Sequence, residues 1–324
     1  MSAGAAAADH PPPDHGRRFT DPDLDAALAI DDATGQVLYA RNADVPRHPA
    51  SLTKMMTLYL LFEKLRDHAV RLDTAFAVSA NAASQPRSHI RLRAGGTISV
   101  DMAIQAIAVG SANDAAVTVA EALGGSEAHF ANAMTAKARQ LGMAHTVFHN
   151  ATGLPDDGQL TTAADLAILA RHLIHDFPQY FGYFRMQQMT WRGEDYNTHN
   201  SLLANYAGAD GLKTGYTDAS GYNLVGTAQR GGRRVIAVVM GGLTAEKRDE
   251  ATIALLDDAF AAAPIAPAPV AIALPRRPLP PSLQTRPVAR AAPQCTPMAA
   301  GAAAVDPLSP LLWPLAAIAC AVIR

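Results

Sequence analysis

Residues 51–66 read SLTKMMTLYLLFEKLR, and this stretch decides the organisation of the chain. Apolar side chains lie on nearly every side of the predicted helix, so the helix should be buried at the centre of a domain. Ser51 and Lys54 are three residues apart and therefore share one face of that helix. The sequence thus predicts a hydroxyl and an amine that meet where a central helix begins.

The Ser-x-x-Lys pattern allows two interpretations when it is taken alone. Ser51 can be an ordinary helix cap beside a lysine whose ammonium group is solvated. Alternatively, the free N–H groups and the dipole at the helix start favour a developing oxyanion at Ser51, and burial favours the neutral amine of Lys54, which can then act as a base. The apolar helix that Lys54 opens favours the catalytic interpretation.

Strand and helix patterns alternate in blocks along the rest of the domain. Two pairs of short apolar runs flank turn sequences and predict hairpins, which imply an antiparallel sheet. Helices would cover this sheet or form a lobe of their own, so the predicted fold class is α+β. The hairpin strands are predicted at 26–30 with 36–41 and at 222–229 with 234–240, and the helices at 51–66, 100–123, 127–141, 161–175 and 244–262.

Two further motifs carry polar side chains that suit the same chemistry. Ser111-Ala112-Asn113 follows a glycine between two apolar helical stretches, where we expect a break; it can relay a proton and bind amides, or it can be a simple helix cap. Lys213-Thr214-Gly215 begins the second strand region. There the glycine permits close approach of the backbone, and a strand edge offers N–H groups to an extended peptide.

The order of the three motifs is far more specific than any one of them. In this order, with these flanks, the chain resembles the low-molecular-mass penicillin-binding proteins, which are serine-type D-alanyl-D-alanine carboxypeptidases. The resemblance extends from about residue 24 to residue 260. The similar flanking segments are 47–55, 110–116, 150–155, 199–203 and 217–224.

The resemblance implies a β-lactamase/transpeptidase-like fold, with an antiparallel sheet flanked by helices and a helical lobe. It implies a D,D-carboxypeptidase that removes the terminal D-alanine from peptidoglycan stem peptides and is inhibited covalently by β-lactams. Ser51 would be the acylated nucleophile and Lys54 its general base. Ser111 would carry the proton to the leaving amine.

The resemblance also implies a set of substrate-binding residues. Asn113 would contact substrate amides, Lys213 would tune the electrostatics and bind substrate, and Thr214 would bind the terminal carboxylate. Arg248 would lie near that carboxylate, an assignment weakened by the adjacent lysine. The oxyanion donors would be the N–H groups of Ser51 and Tyr216, while Gly215 would allow close approach and Ser88 would line the cleft.

Three alternative functions stay open in the sequence. A D,D-endopeptidase cleaves the same type of bond. A β-lactamase of the same fold usually carries a Glu-x-x-Leu-Asn stretch for deacylation, and no such stretch occurs between the second and third motifs. A non-catalytic cell-wall binding protein would not need the complete set of Ser51, Lys54, Ser111 and Lys213.

Composition excludes several other classes of protein. A net charge of −2 provides no excess of basic residues for nucleic acid. The two cysteines, Cys295 and Cys320, exclude a disulfide scaffold and a cysteine-based zinc site in the domain. The histidine pairs 145/149 and 172/175 lack an accompanying metal-binding motif, so we expect surface histidines, no metal and no cofactor.

The predicted organisation has four segments. Residues 1–21 should be a disordered segment that lacks the pattern of a secretory signal, although the resemblance implies a periplasmic or extracytoplasmic location. Residues 22–262 should form the catalytic domain, and 263–307 a Pro/Ala-rich linker. Residues 308–324 are an apolar tail of 17 residues, which predicts a C-terminal membrane anchor or, alternatively, a free tail.

Overall fold

Strands and helices occur in blocks along residues 26–262, the part of the chain that the computed structural model describes. Short 3₁₀ helices form at Ala50–Thr53 and Phe181–Arg185. The strands are β1 (Ala26–Asp31), β2 (Val37–Arg41), β3 (Ala75–Ala77), β4 (Thr97–Ser99), β5 (Gln188–Trp191), β6 (Glu194–Asn197), β7 (Ala209–Thr217), β8 (Gly221–Arg230) and β9 (Arg233–Gly242). The helices are α1 (Lys54–Arg66), α2 (Ala80–Ala83), α3 (Val100–Ala108), α4 (Asn113–Gly124), α5 (Glu127–Leu141), α6 (Ala163–Asp176), α7 (Leu202–Asn205) and α8 (Ala245–Ala261).

The main sheet has five antiparallel strands in the order β2-β1-β9-β8-β7. Gly231 and Gly232 link β8 to β9 with φ angles of 56° and 82°. Two successive residues of positive φ make the tight turn whose twist matches that of a hairpin. This hairpin brings β1 and β7 to opposite sides of one pair of strands.

Helices cover both faces of the sheet, and the side chains of β9 pack against the helices on each face. Ile236 and Val238 pack into the core that contains α1 and α6, whereas Val235 and Val239 pack against α8. Successive side chains of a strand point to opposite faces, so a strand buried on both faces is apolar almost throughout.

Helix α1 lies in the larger of the two cores. Its side chains Met55, Met56 and Phe62 are fully buried, as the all-round apolar pattern predicts. The ring of Phe62 packs on Phe177 at 5.7 Å and on Tyr180 at 5.0 Å between centroids. The start of α1 is thereby fixed within the domain.

The predicted fold class is confirmed, and so are both predicted hairpins. One predicted helix boundary is wrong: Ser51 lies in the 3₁₀ helix that precedes α1, and Ala50 before it adopts a φ of 49°. The break expected at Ser111 within residues 100–123 is confirmed, since α3 ends at Ala108, α4 begins at Asn113 and Ser111 between them has a φ of 54°.

The predicted N-terminal segment, linker and apolar tail lie outside the described residues. Within residues 26–262, no helix is both long and apolar enough to cross a bilayer. The proposed boundaries at 22 and 262 and the tail anchor therefore stay predictions.

We expect Phe62→Ala to lower the free energy of unfolding by about 3–5 kcal/mol, because the change leaves a cavity where four aromatic rings meet. Leu243→Ala is the control, since Leu243 is 67% exposed. Urea unfolding of the two variants measures the difference. An equal effect of both substitutions would contradict the central position of α1.

Candidate active site

Ser51 and Lys54 meet at the junction between the 3₁₀ helix and α1. The Nζ atom of Lys54 lies 2.9 Å from Oγ of Ser51, and it donates to the carbonyl oxygen of Thr152 at 2.6 Å. The Lys54 side chain is fully buried. The lysine amine is therefore held between the hydroxyl and a backbone carbonyl from a distant loop.

The electrostatic surroundings of Lys54 favour its neutral form. Burial contributes most to a pKa well below the usual lysine range, and the positive charge of Lys213 acts in the same direction. The carboxylates of Asp114 and Glu127 oppose this shift without cancelling it. A neutral amine next to a hydroxyl can accept the proton of that hydroxyl.

The loop that holds Lys54 is itself folded around one side chain. Oδ1 of Asn150 accepts hydrogen bonds from the backbone N–H of Thr152 at 3.2 Å and of Gly153 at 2.7 Å. Gly153 has a φ of 83°, and a Cβ there would come within 1.7 Å of the Ala50 carbonyl oxygen. A glycine is required at this point, and the loop packs directly on the residue before Ser51.

Glu127 anchors the same loop, and the sequence analysis missed it. Its Oε1 atom accepts the N–H of Ala151 at 2.9 Å, while the Ala151 carbonyl accepts Oγ1–H of Thr57 at 2.7 Å. The residue after Ala151 supplies the carbonyl that holds Lys54. In the sequence, Glu127 follows the cap residue Ser126 and has the pattern of an ordinary first-turn acid, so only the tertiary contact distinguishes it.

Ser111 and Asn113 lie in the break between α3 and α4. Ser111 is buried in a left-handed conformation, a strained arrangement that often occurs at functional positions. The backbone N–H of Asn113 donates to the Ser88 carbonyl at 2.7 Å, and its side-chain Nδ2 donates to the Pro86 carbonyl at 2.8 Å. Asn113 therefore fixes the 86–88 segment as well as lining the cleft.

Strand β7 brings Lys213, Thr214 and Gly215 beside Ser51. A Cβ on Gly215 would lie 3.0 Å from the backbone nitrogen of Ser51, so the glycine allows the strand to approach this closely. Lys213 is buried, and its Nζ donates to the Thr214 carbonyl at 3.1 Å. Burial, with a smaller contribution from the charge of Arg248, lowers the pKa of Lys213 to about 7.

Arg248 lies in the first turn of α8, the helix that packs on β8 and β9. Its side chain is buried, with Nε on Asp249 at 2.7 Å and Nη1 on the Asn223 carbonyl at 3.5 Å. The neighbouring Lys247 is exposed and pairs with Glu250 at 3.1 Å. Of these two adjacent cations, it is Arg248 whose positive charge contributes to the lowered pKa of Lys213.

A cleft of about 250 Å³ opens above Ser51. Ser88 and Asn113 form part of one wall and Tyr216 part of the other. Tyr216 is exposed, stacks on Tyr222 at 4.2 Å between centroids, and donates its hydroxyl to Asp218 at 2.9 Å. Among the predicted site residues, those buried beside the cleft without lining it are Lys54, Ser111, Lys213, Thr214, Gly215 and Arg248.

His199 is a second residue near the site that sequence reasoning left without a role. Partial desolvation, followed by the charges of Lys213, Arg248 and Lys54, lowers its pKa. The signal in the sequence was only its place in the segment before β7.

Three of the four histidines considered for metal binding pair with a carboxylate. His149 pairs with Asp156 at 2.7 Å, and His175 with Asp32 at 2.9 Å. His172 pairs with Asp176 at 2.9 Å and is buried, so its prediction as a surface residue is wrong. Helix α6 turns it toward α1, where it meets the ring of Tyr59. Among residues 26–262, no group of three metal-ligating side chains forms.

Comparison with known proteins gives consistent matches. Residues 16–244 match the family model described as D-alanyl-D-alanine carboxypeptidase. The chain is 37% identical to D-alanyl-D-alanine carboxypeptidase DacF of Bacillus subtilis over 72% of its length, and 35% identical to DacA of Escherichia coli over 74%. It spans 61% of the length of each of these two relatives.

Solved structures show the same similarity. DacD of Francisella tularensis matches with a TM-score of 0.73 and 32% identity, covering 75% of this chain and 71% of that one. Penicillin-binding protein D2 of Listeria monocytogenes, solved in an ampicillin-bound form, matches with a TM-score of 0.64 and 37% identity, covering 74% of this chain and 97% of that one.

We expect Glu127→Gln to move the acidic limb of the penicillin acylation rate to lower pH. The amide still accepts the Ala151 N–H, but the lost carboxylate no longer raises the pKa of Lys54. Glu127→Ala should move the limb in the same direction and also lower the plateau rate about tenfold, because the loop loses its anchor as well. Stopped-flow acylation across pH measures both effects.

Glu121→Gln is the matched control, since this glutamate accepts a hydrogen bond from Asn81 and is not among the charges that shift the pKa of Lys54. A limb that moves to higher pH in Glu127→Gln, or an unchanged rate in Glu127→Ala, would contradict the assignment.

Proposed function

The chain belongs to the D-alanyl-D-alanine carboxypeptidase family, and we propose that it is a serine D,D-carboxypeptidase that removes the terminal D-alanine from peptidoglycan stem peptides. The observation that carries the proposal is the contact of 2.9 Å between the Lys54 amine and the Ser51 hydroxyl. Burial and the charge of Lys213 lower the pKa of the amine and so favour its neutral form, which can accept a proton. This arrangement suits an activated nucleophile.

In the proposed acylation step, Ser51 Oγ attacks the carbonyl carbon of the penultimate D-alanine. Lys54 Nζ takes the hydroxyl proton as the new C–O bond forms. The developing oxyanion accepts hydrogen bonds from the backbone N–H groups of Ser51 and Tyr216. The close packing of Gly215 on the Ser51 peptide supports this pairing of donors.

The tetrahedral intermediate then breaks the C–N bond to the terminal D-alanine. Ser111 carries the proton from Lys54 to the leaving nitrogen, and its burial in the break between α3 and α4 supports this role. Water next attacks the ester carbon while neutral Lys54 accepts a proton from the water; the bond from that carbon to Ser51 Oγ then breaks, and Lys54 returns the proton to Oγ. The two half-reactions release D-alanine and the shortened peptide.

The terminal carboxylate of the substrate is assigned to the Lys213 end of the site. Thr214 donates its hydroxyl, and Lys213 and Arg248 supply positive charge. Asn113 contacts the acyl amide. Its position in the cleft wall supports this, although its Nδ2 group is engaged by Pro86 in the free protein.

β-Lactams are the proposed covalent inhibitors, in line with the ampicillin-bound and cefotaxime-bound forms of the Listeria relative. We place the protein in the periplasm or on the extracytoplasmic side of the membrane, where its substrate lies. Anchoring by residues 308–324 is a further proposal that concerns residues beyond those described.

Penicillin should acylate Ser51. Mass spectrometry of the intact protein and its peptides should show one adduct, on the peptide that contains Ser51. Lys54→Ala should lower the acylation rate by about 10²–10⁴-fold while circular dichroism remains unchanged. An adduct on Ser111, or no adduct on folded protein, would refute the proposal.

The same protein separates the related activities. Release of D-alanine from a linear pentapeptide indicates a carboxypeptidase, and cleavage of a cross-linked dimer indicates an endopeptidase. Rapid turnover of penicillin with no lasting adduct indicates a β-lactamase.

The pH dependence of kcat/KM should be bell-shaped. Activity falls at low pH as Lys54 becomes protonated, and at high pH as Lys213, with a pKa of about 7, loses the charge that attracts the carboxylate. Lys213→Arg stays cationic and should lose the alkaline limb. Initial rates of D-alanine release from pH 5 to 10 test this; an alkaline limb that persists in folded Lys213→Arg assigns it to another group.

A further inference from the structure

Arg87 and Asp218 lie at the mouth of the cleft and have no part in the chemistry described above. We propose that they form a charged subsite for a substrate side chain that ends in both an ammonium and a carboxylate. The side chain belongs to the residue immediately before the two D-alanines. This inference rests on the proposed function and names a substrate class for it.

Arg87 is held in place by the active site itself. Asn113 donates to the carbonyls of the residues on either side of it, Pro86 and Ser88. Between these two anchors Arg87 adopts a φ of 62°, and its side chain is 63% exposed. The backbone is thus fixed, and the guanidinium is presented to solvent beside the cleft.

Asp218 is fixed on the opposite wall. Oδ1 accepts the Tyr216 hydroxyl at 2.9 Å, and the turn that carries Asp218 is closed by reciprocal hydrogen bonds between Thr217 and Ser220. Oδ2 lies 4.0 Å from Nη2 of Arg87, and the Asp218 side chain is 81% exposed.

The two charges are close enough to attract each other but too exposed for a strong pair. Exposed ion pairs contribute little stability, so an incoming ligand can break this pair and place its own charged groups beside Arg87 and Asp218. Both residues line the same cleft as Ser51. A substrate bound in the cleft would therefore contact both charged side chains.

The direction of the substrate places a side chain near this pair. With the terminal carboxylate at Thr214 and the reacting carbonyl at Ser51, the acyl part of the peptide extends along the second half of β7. A strand advances about 3.3 Å per residue, so Thr217 at the end of β7 lies roughly 7 Å beyond Gly215, and Asp218 follows in the turn. Only a long side chain on the residue before the first D-alanine covers that distance.

The chemistry of the pair selects the end of that side chain. An amino-acid-like end carries an ammonium for Asp218 and a carboxylate for Arg87, whose planar fork binds carboxylates in a bidentate way. A lysine side chain satisfies Asp218 alone. An amidated end also leaves Arg87 without an anion, and an apolar side chain leaves both charges unused.

Four peptides X-D-Ala-D-Ala test the subsite. X is 2,6-diaminopimelate, its amidated form, lysine or norleucine, and kcat/KM is measured from D-alanine release. The parent protein should prefer the diaminopimelate peptide to the norleucine peptide by roughly tenfold at low ionic strength, with a smaller ratio in high salt.

A substitution that removes one of the two charges should remove one part of that preference and leave the other part. Arg87→Gln should abolish the discrimination between the acid and its amide, and Asp218→Asn the discrimination between lysine and norleucine. Arg71→Gln and Asp73→Asn are matched controls, because they form an exposed pair at 2.9 Å that does not line the cleft. The controls should keep both ratios.

Equal turnover of all four peptides by the parent protein would overturn the subsite, as would variants that lose activity on every peptide alike. Failure of the proposed function has a different signature. In that case no peptide releases D-alanine and penicillin leaves no adduct on Ser51.

Discussion

The buried amine of Lys54 is the constraint on which the site depends. It needs the Ser51 hydroxyl on one side and the Thr152 carbonyl on the other, and these groups come from segments about a hundred residues apart. An amine removed from water must be hydrogen-bonded or it destabilises the fold. The 150–154 loop, with its Asn150 and Glu127 contacts, can therefore be understood as the support for one nitrogen atom.

This constraint extends to the backbone around Ser51. Gly153 on one side and Gly215 on the other allow two chain segments to pack against the peptide of Ser51. Ala50 adopts a positive φ between them. Strain of this kind persists only where the surrounding structure fixes it, and here the central helix α1 and the sheet provide that support. The backbone strain that lowers the stability of the fold is thus located in the same few residues that position the Ser51 hydroxyl.

Local patterns in the sequence predicted the hairpins, the central helix and the contact between Ser51 and Lys54. The order of the three motifs and the family resemblance, not a local pattern, singled out Ser51, Lys54 and Lys213 as site residues, and their roles stay predictions. Local patterns could not show that Ser51 lies in a 3₁₀ turn, because that geometry arises from the packing of Gly153 and Gly215. Nor could they identify Glu127, which has the pattern of a common first-turn acid. The residues missed are those whose role depends on contacts between distant segments, for which a local pattern carries no information.

The lysine content of the chain has a consequence for spectroscopy. The sequence has five lysines, and two of them, Lys54 and Lys213, are buried with lowered pKa values, while the remaining three, at 64, 137 and 247, lie at or near the surface. Labelling of lysine with ¹⁵N at Nζ alone would therefore give five side-chain signals, and those of Lys54 and Lys213 should change at a lower pH than an ordinary lysine amine. The protonation of these two buried amines could then be followed directly, before and after treatment with penicillin.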